Sequence, residues 1–491
     1  MPTGAFLHPI FTTIFPRGYA SIAARLTVGS GGALLLLSSI LIMAMPPAAA
    51  EGVYSGGGWS TLHKGPGNRK QVNNVALADD YVSQLVLAGS SVLTAPVLSP
   101  DGQQFYVTTG QGVGYSNLHA FTVDGKPLWA STAVDHDASG AQAGVDGCAI
   151  LSSAIVDVDG DVYLSDCDQL WAFHDDGRLK WVVDQPLPPE NAWQPAWASP
   201  GKRVVNAFTT ALFTRQGHIL GITNYGHVRV HDRATGALLN APLVLPGLQP
   251  ALSSKPLPDS MLSEGLMDPE LRVWAWQLLM GGAMPSANTP AVDLGNGRVF
   301  VAVSATTPGK GALLALDVDT SEDGGVAIDI AWQTEMGPGS GSSPSLSPDG
   351  RQVYVSDEAG LFYAIDTATG AVNWTIQTAS AAASVAVGAD GTIYSLQQFA
   401  PAIVALSPSG ERLWESDVSG LVTEKLSPHF LLGEPLGAGS GNPTITNEGL
   451  LVPIAYGYNF TLGERRIPLY VESTMVLLDT STGVAIRDVA Q

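Results

Sequence analysis

An all-β fold, a β-propeller of four-stranded blades, is predicted by three observations. A strand–turn–strand pattern recurs seven times, a glycine closes the first turn of each copy, and a tryptophan marks the last strand of five of them. Composition agrees: of 491 residues, 45% are hydrophobic, 55 are Gly and 33 are Pro, while only 14% are charged, which suits short strands and tight turns better than a helical bundle.

Taken from the N-terminus, Arg17 and Arg25 precede an apolar run at 33–45, and "PPAAA" with a small-residue cleavage pattern follows, ending at Ala50. Residues 1–50 are expected to be a signal peptide, with export to the periplasm or the exterior. The run of about 13 residues is shorter than the roughly 18–20 a spanning helix needs, so a retained anchor is the alternative. No later segment is apolar enough to span a membrane. Loss of Arg17 and Arg25 takes the net charge from −21 to −23, an acidity that argues against nucleic acid or anionic lipid as partner and favours cationic ligands. Residues 51–93 are expected to be a lead-in and ring-closing segment, and 94–491 the propeller.

The clearest copy is "VYVSDEAGLFYAIDTATGAVNW" at 353–374; others lie at 105–129, 162–181, 219–239, 299–332, 393–414 and 450–486. Each reads as strand, Gly turn, strand, variable connection, strand ending near Asp, Gly turn, and fourth strand. The first turns are Asp101-Gly102, Asp159-Gly160, Gln216-Gly217, Asn296-Gly297, Asp349-Gly350, Asp390-Gly391 and Glu448-Gly449, read as two-residue hairpins. The strands lack clean polar–apolar alternation, as expected of sheets covered on both faces. Seven blades is the direct count; eight is the alternative, with 59–88 supplying further strands. One short inserted helix is expected at 268–282, with Pro269 near its start.

"FYAIDTATGAVNW", with its "TG" turn and Trp, resembles the tryptophan-docking repeat of the pyrroloquinoline quinone (PQQ) family of propellers, and "GGWSTLHKGPGNRK" at 57–70 is similar to the lead-in of those proteins. The resemblance implies a PQQ-like β-propeller, a quinoprotein alcohol dehydrogenase-like fold. That family includes PQQ-dependent dehydrogenases and also non-catalytic scaffolds such as the lipoprotein of the bacterial outer-membrane assembly machinery.

Alternating strand direction puts first-to-second and third-to-fourth turns on one face. All long insertions (130–147, 183–206, 242–288, 303–311, 415–441 and 456–473) fall on the other. This decorated face is the expected place of function. Its candidate ligand-stacking aromatics are Trp193, Trp197, Trp274, Trp276, Tyr456 and Tyr458, each with local packing as the competing role. Trp129, Trp181, Trp332, Trp374 and Trp414 recur with the repeat and are assigned to packing between blades.

Asp135 and Asp137 of "DHD" are weak metal candidates on the decorated face, whereas "DVDGD" at 157–161 reads as an ordinary hairpin. His227 and His231 lie roughly 13 Å apart if on one strand, too far to share a metal. The only two cysteines, Cys148 and Cys167, are expected to form a disulfide as near cross-strand neighbours of one hairpin. No C-x-x-C-H haem motif or G-x-S-x-G nucleophile elbow occurs in the sequence.

The leading expectation is therefore an exported binding or assembly scaffold, needing no cofactor, that offers its decorated face to a protein or small molecule. The alternative is a dehydrogenase oxidising alcohols or sugars with PQQ and Ca²⁺; enzymatic activity is left open and no catalytic residue is carried over.

Overall fold

A computed structural model describes the chain apart from residues 1–51, 55–58, 74–85, 88, 191, 193, 196, 199–202, 209, 248–267, 275–285, 287, 322–323, 340–341, 379–383, 398–401, 419, 422–425, 429–432, 440, 463–464 and 489–491. The expected signal peptide and most of the 242–288 insertion thus lie outside the described residues. No helix among the described residues is long and apolar enough to cross a membrane.

Seven antiparallel sheets follow one another along the chain as blades 1 to 7, at 97–130, 155–184, 212–244, 291–336, 345–377, 386–417 and 444–488. Blades 1 to 6 have four strands in sequential order. Blade 7 carries a fifth, Glu434–Gly439, paired to the far end of the long strand Leu450–Leu462. The fold is a seven-bladed β-propeller. The described residues 59–73 add no named strand to any blade, and most of the rest of 59–88, the segment expected to supply an eighth, lies outside the described residues.

Second and third strands are buried almost throughout, as in Val162–Ser165 and Gln169–Phe173, because neighbouring blades cover both faces. Fourth strands such as Val372–Gln377 form the wet outer rim. All seven first-turn glycines, Gly102, Gly160, Gly217, Gly297, Gly350, Gly391 and Gly449, have positive φ. Their preceding residues do not. The turns are accordingly wider than two-residue hairpins, and the N–H of Gly102, for example, donates to the carbonyl of Ser99.

The recurrent tryptophans join blades. The indole N–H groups of Trp129, Trp181, Trp332, Trp374 and Trp414 donate to the carbonyls of Asp175, Arg233, Thr367, Pro408 and Thr480, each in the last turn of the next blade, at 2.8–3.1 Å. The rings lie against the glycine of that turn: a Cβ on Gly410 would fall 2.7 Å from Trp374. Blades 3 and 4 lack such a tryptophan and are joined through backbone, with Val326 N–H donating to Leu239.

Six blade interfaces each hold an apolar cluster drawn from both neighbours. At the outer face of blade 1 the pattern changes, and Phe105, Val107 and Phe121 pack on Val86, Leu87 and Val92 of the segment preceding the ring.

That preceding segment also crosses the channel. The carbonyls of Trp59, Ser60, Pro66, Gly67, Arg69 and Lys70 accept from Leu98, Val156, Val292, Leu346, Val387 and Ile445, one residue in the innermost strand of blades 1, 2, 4, 5, 6 and 7. For blade 3, the Tyr54 hydroxyl both donates to and accepts from the backbone of Phe213. The only described non-glycine residues with positive φ, Lys64, Asn68 and Lys70, all belong to this segment.

The inserted helix begins as expected. Residues 269–274 are helical, Asp268 caps the N–H groups of Glu270 and Leu271, and Pro269 occupies the first turn, where its missing N–H costs nothing. Residues 275–282 lie outside the described residues.

Candidate functional site

On the decorated face the channel opens into a cavity of about 220 Å³. All seven blades line it through residues just before their innermost strands: Thr94, Leu151, Thr210, Asn288, Ser343, Ser384 and Asn442. Leu62 and His63 of the crossing segment form its floor. Burial holds the His63 imidazole below its ordinary pKa, and the nearby Lys70 charge adds to the effect.

Beneath the floor Lys70 is fully buried, and its ammonium donates to Asn68 O (3.1 Å), Ser384 Oγ (2.8 Å) and Val385 O (2.8 Å). Burial pushes its pKa down. The Asn68 amide donates to the carbonyls of Pro290 (3.0 Å) and Pro344 (2.9 Å), joining blades 4 and 5.

The mouth's described lining is neutral: hydroxyls, amides and aliphatic carbon over an imidazole floor. It presents no carboxylate to a Ca²⁺ and no tryptophan face to a planar quinone. A PQQ–Ca²⁺ pair does not fit that donor set, and the cavity is smaller than the roughly 300–1,000 Å³ of sites that enclose drug-sized ligands.

Carboxylates gather elsewhere on this face, around the disulfide. Cys148 and Cys167 are bonded, with Cα atoms 4.8 Å apart. Cys148, however, sits in the short 3-10 helix Gly147–Leu151, not on a strand, so the bridge links the blade 1–2 connection to the loop between the second and third strands of blade 2. Asp146 precedes one cysteine by two residues; Asp166 and Asp168 flank the other. One oxygen from each of the three lies within 4.8 Å of the others. Arg203, 2% exposed, faces all three, with Nε 3.2 Å from Asp146 Oδ2 and 3.6 Å from Asp168 Oδ1, and Nη2 3.5 Å from Asp166 Oδ2.

Burial, then the charge of Asp146, raises the Asp166 pKa; burial, then the charge of Asp166, raises that of Asp168. The indole of Trp171 donates to Asp166 Oδ2 at 2.8 Å. His136 approaches Asp146 at 3.4 Å and stacks on Trp197 with ring centroids 4.4 Å apart. Val205, Leu271 and Trp274 pack against the disulfide.

The sequence candidates divide accordingly. Trp197 is half-buried beside the acidic cluster, while Trp274 and Tyr456 are buried and their rings serve packing; the Tyr456 hydroxyl also donates to Glu472. Tyr458 is half-buried on the blade 7 hairpin, and Trp193 and Trp276 lie outside the described residues. Asp135 and Asp137 are exposed and close a local turn, Asp137 N–H donating to Asp135 Oδ1 at 2.9 Å; the inward-facing member of "DHD" is His136. In "DVDGD", Asp157 Oδ1 accepts from the N–H groups of Asp159 and Asp161, the hairpin arrangement expected. His227 and His231 lie on one strand with separate partners, Asn206 and Gly236.

Residues 322–429 match the family described as outer membrane protein assembly factor BamB. Among solved structures, a quinohemoprotein alcohol dehydrogenase from Comamonas testosteroni is similar with a TM-score of 0.51 and 13% identity, over 89% of this chain and 73% of that one. BamB from Moraxella catarrhalis gives 0.42 and 14%, over 78% and 92%. A europium-containing methanol dehydrogenase gives 0.49 and 14%, over 87% and 90%. At such identities the likeness is one of fold. No curated protein matches the sequence. With seven consecutive four-stranded blades, tryptophan docking at five interfaces and a repeat match within 322–429, the chain is similar to the PQQ-like β-propeller repeat family.

Proposed function

We propose that this propeller is an exported binding or assembly scaffold, which receives a protein or small-molecule ligand on its decorated face around the channel mouth. One observation carries the reading: all seven blades contribute to the mouth, and its described lining is neutral, over a floor closed by the crossing segment. Such a lining suits hydrogen bonding to a neutral group or a peptide backbone rather than a metal-held quinone. Export is supported by the disulfide and by the charged-then-apolar N-terminus, a combination suited to an oxidising compartment.

The test is to mix purified protein with PQQ and Ca²⁺, follow absorbance and intrinsic fluorescence, and assay dye reduction with a panel of alcohols and sugars. The scaffold reading expects neither a stoichiometric complex nor dye reduction. Tight stoichiometric binding accompanied by alcohol-dependent dye reduction overturns it in favour of a dehydrogenase.

A further inference from the structure

We infer that Asp146, Asp166 and Asp168 form a divalent-cation site, of a kind that takes Ca²⁺ or another hard oxygen-seeking ion, built onto the disulfide of the decorated face. The inference is independent of the scaffold reading. Its first support is geometric: three carboxylate oxygens within 4.8 Å of one another fit around one ion at Ca–O distances of about 2.3–2.6 Å. An all-carboxylate donor set selects hard cations over soft ones.

The second support is an unmet demand. Asp146 is 1% exposed, yet neither of its oxygens accepts a hydrogen bond, and Asp168 Oδ1 is likewise buried without one. Buried carboxylates ordinarily collect several hydrogen bonds, because an ionised oxygen without a partner loses its hydration uncompensated. Arg203 does not meet the demand: none of its three ion pairs here is closer than 3.2 Å, and it also donates to the carbonyls of Ala143 and Gly144. Three carboxylates face one guanidinium and, 3.4 Å from Asp146, the His136 imidazole, so the ionised cluster carries more negative than positive charge, an excess that a divalent ion would offset.

The third support is covalent. The Cys148–Cys167 bond holds "DGC" against "DCD", so the disulfide keeps like charges together that would otherwise separate. It removes in advance much of the entropy cost of assembling ligands from two connections.

Terbium luminescence tests the site, since Trp171 is hydrogen-bonded to Asp166 and sensitises a lanthanide held there. Oxidised full-length protein is stripped with EDTA and titrated with Tb³⁺ under tryptophan excitation, then with Ca²⁺ as competitor. Saturable 1:1 emission displaced by Ca²⁺ is expected, together with a melting temperature that climbs with the logarithm of Ca²⁺ concentration. Asp146→Asn and Asp168→Asn should abolish the emission, and Asp137→Asn, on the exposed turn, should keep it. Trp171→Phe should dim the emission while leaving the melting shift with Ca²⁺. Absence of both saturable emission and any melting shift with Ca²⁺, Mg²⁺ or Mn²⁺ overturns the proposal, as does emission unaltered in Asp146→Asn and Asp168→Asn. A reading independent of Tb³⁺ is the melting of Asp168→Asn in EDTA. At or above the parent, it supports a site short of positive charge; well below the parent, it shows that Arg203 alone balances the cluster and overturns the proposal.

Discussion

Asn68 is the point at which the crossing segment is most exposed to test. Its amide donates to two buried carbonyls, Pro290 O and Pro344 O, and its backbone φ is +54°. Replacement by glycine removes both donors but suits the backbone. Leaving a buried acceptor unsatisfied costs about 1–3 kcal/mol, so the two carbonyls set an expected loss of roughly 2–6 kcal/mol. Alanine removes the same donors and must also hold the left-handed conformation at about 1–2 kcal/mol, offset by about 0.4–1 kcal/mol from its stiffer unfolded chain. Asn68→Ala should therefore fall below Asn68→Gly by about 1 kcal/mol. Urea denaturation at constant m reads both values. If Asn68→Gly lies within about 0.5 kcal/mol of the parent, the range of ordinary surface substitutions, the Asn68 amide's bonds to blades 4 and 5 contribute nothing and the reasoning fails.

Three further outcomes are expected. Gly410→Ala sets a Cβ 2.7 Å from the Trp374 ring at φ +86° and should cost about 2–4 kcal/mol, whereas Gly114→Ala, at φ +85° with open space around it, should cost about 1–2; equal losses in chemical denaturation would discredit the docking argument. Replacing Cys148 and Cys167 by serine opens a loop with a sequence separation of 19 and should lower stability by about 3 kcal/mol, with terbium affinity falling as well; an unchanged denaturation midpoint contradicts this. Burial lowers the pKa values of His63, His119, His218, His227 and His231, so below about pH 6.5 the unfolded chain takes up protons that the fold refuses. Stability should be full above that pH and fall as pH drops through the lowered folded values. His63→Gln should flatten the slope of denaturation midpoint against pH, and an unaltered slope would remove His63 from the cause.

The blades were legible because their signals are local. A glycine that alone accepts positive φ, such as Gly350, a "TG" turn and a Trp three or four residues on all sit within one copy, and together they fix strand boundaries before any tertiary contact forms. The path of residues 59–72 was not legible, since its backbone follows no period and turns at Lys64, Asn68 and Lys70, where side-chain type gives little warning of the left-handed region. The acidic cluster was half-visible. "DGC" and "DCD" place acids beside both cysteines, and an expected disulfide already implied that those acids meet; weighing "DHD" alone, two exposed carboxylates in a local turn, missed it. Arg203 carried no signal at all, because only the fold of the blade 2–3 connection returns it to blade 2.

Threading one early segment through the hub has a consequence for how the chain reaches its native state. Lys70 leaves the ribosome long before its acceptor Val385, 315 residues later, and its bond to blade 7 awaits Ile445. Until the last sheet is made, the left-handed turns at 64–70 lack the bonds that hold them. Separations of this size belong to slow, late-committing folding. The hub should be among the last parts of the nascent chain to become protease-resistant, with a premature stop before residue 445 leaving six formed blades around an untied centre.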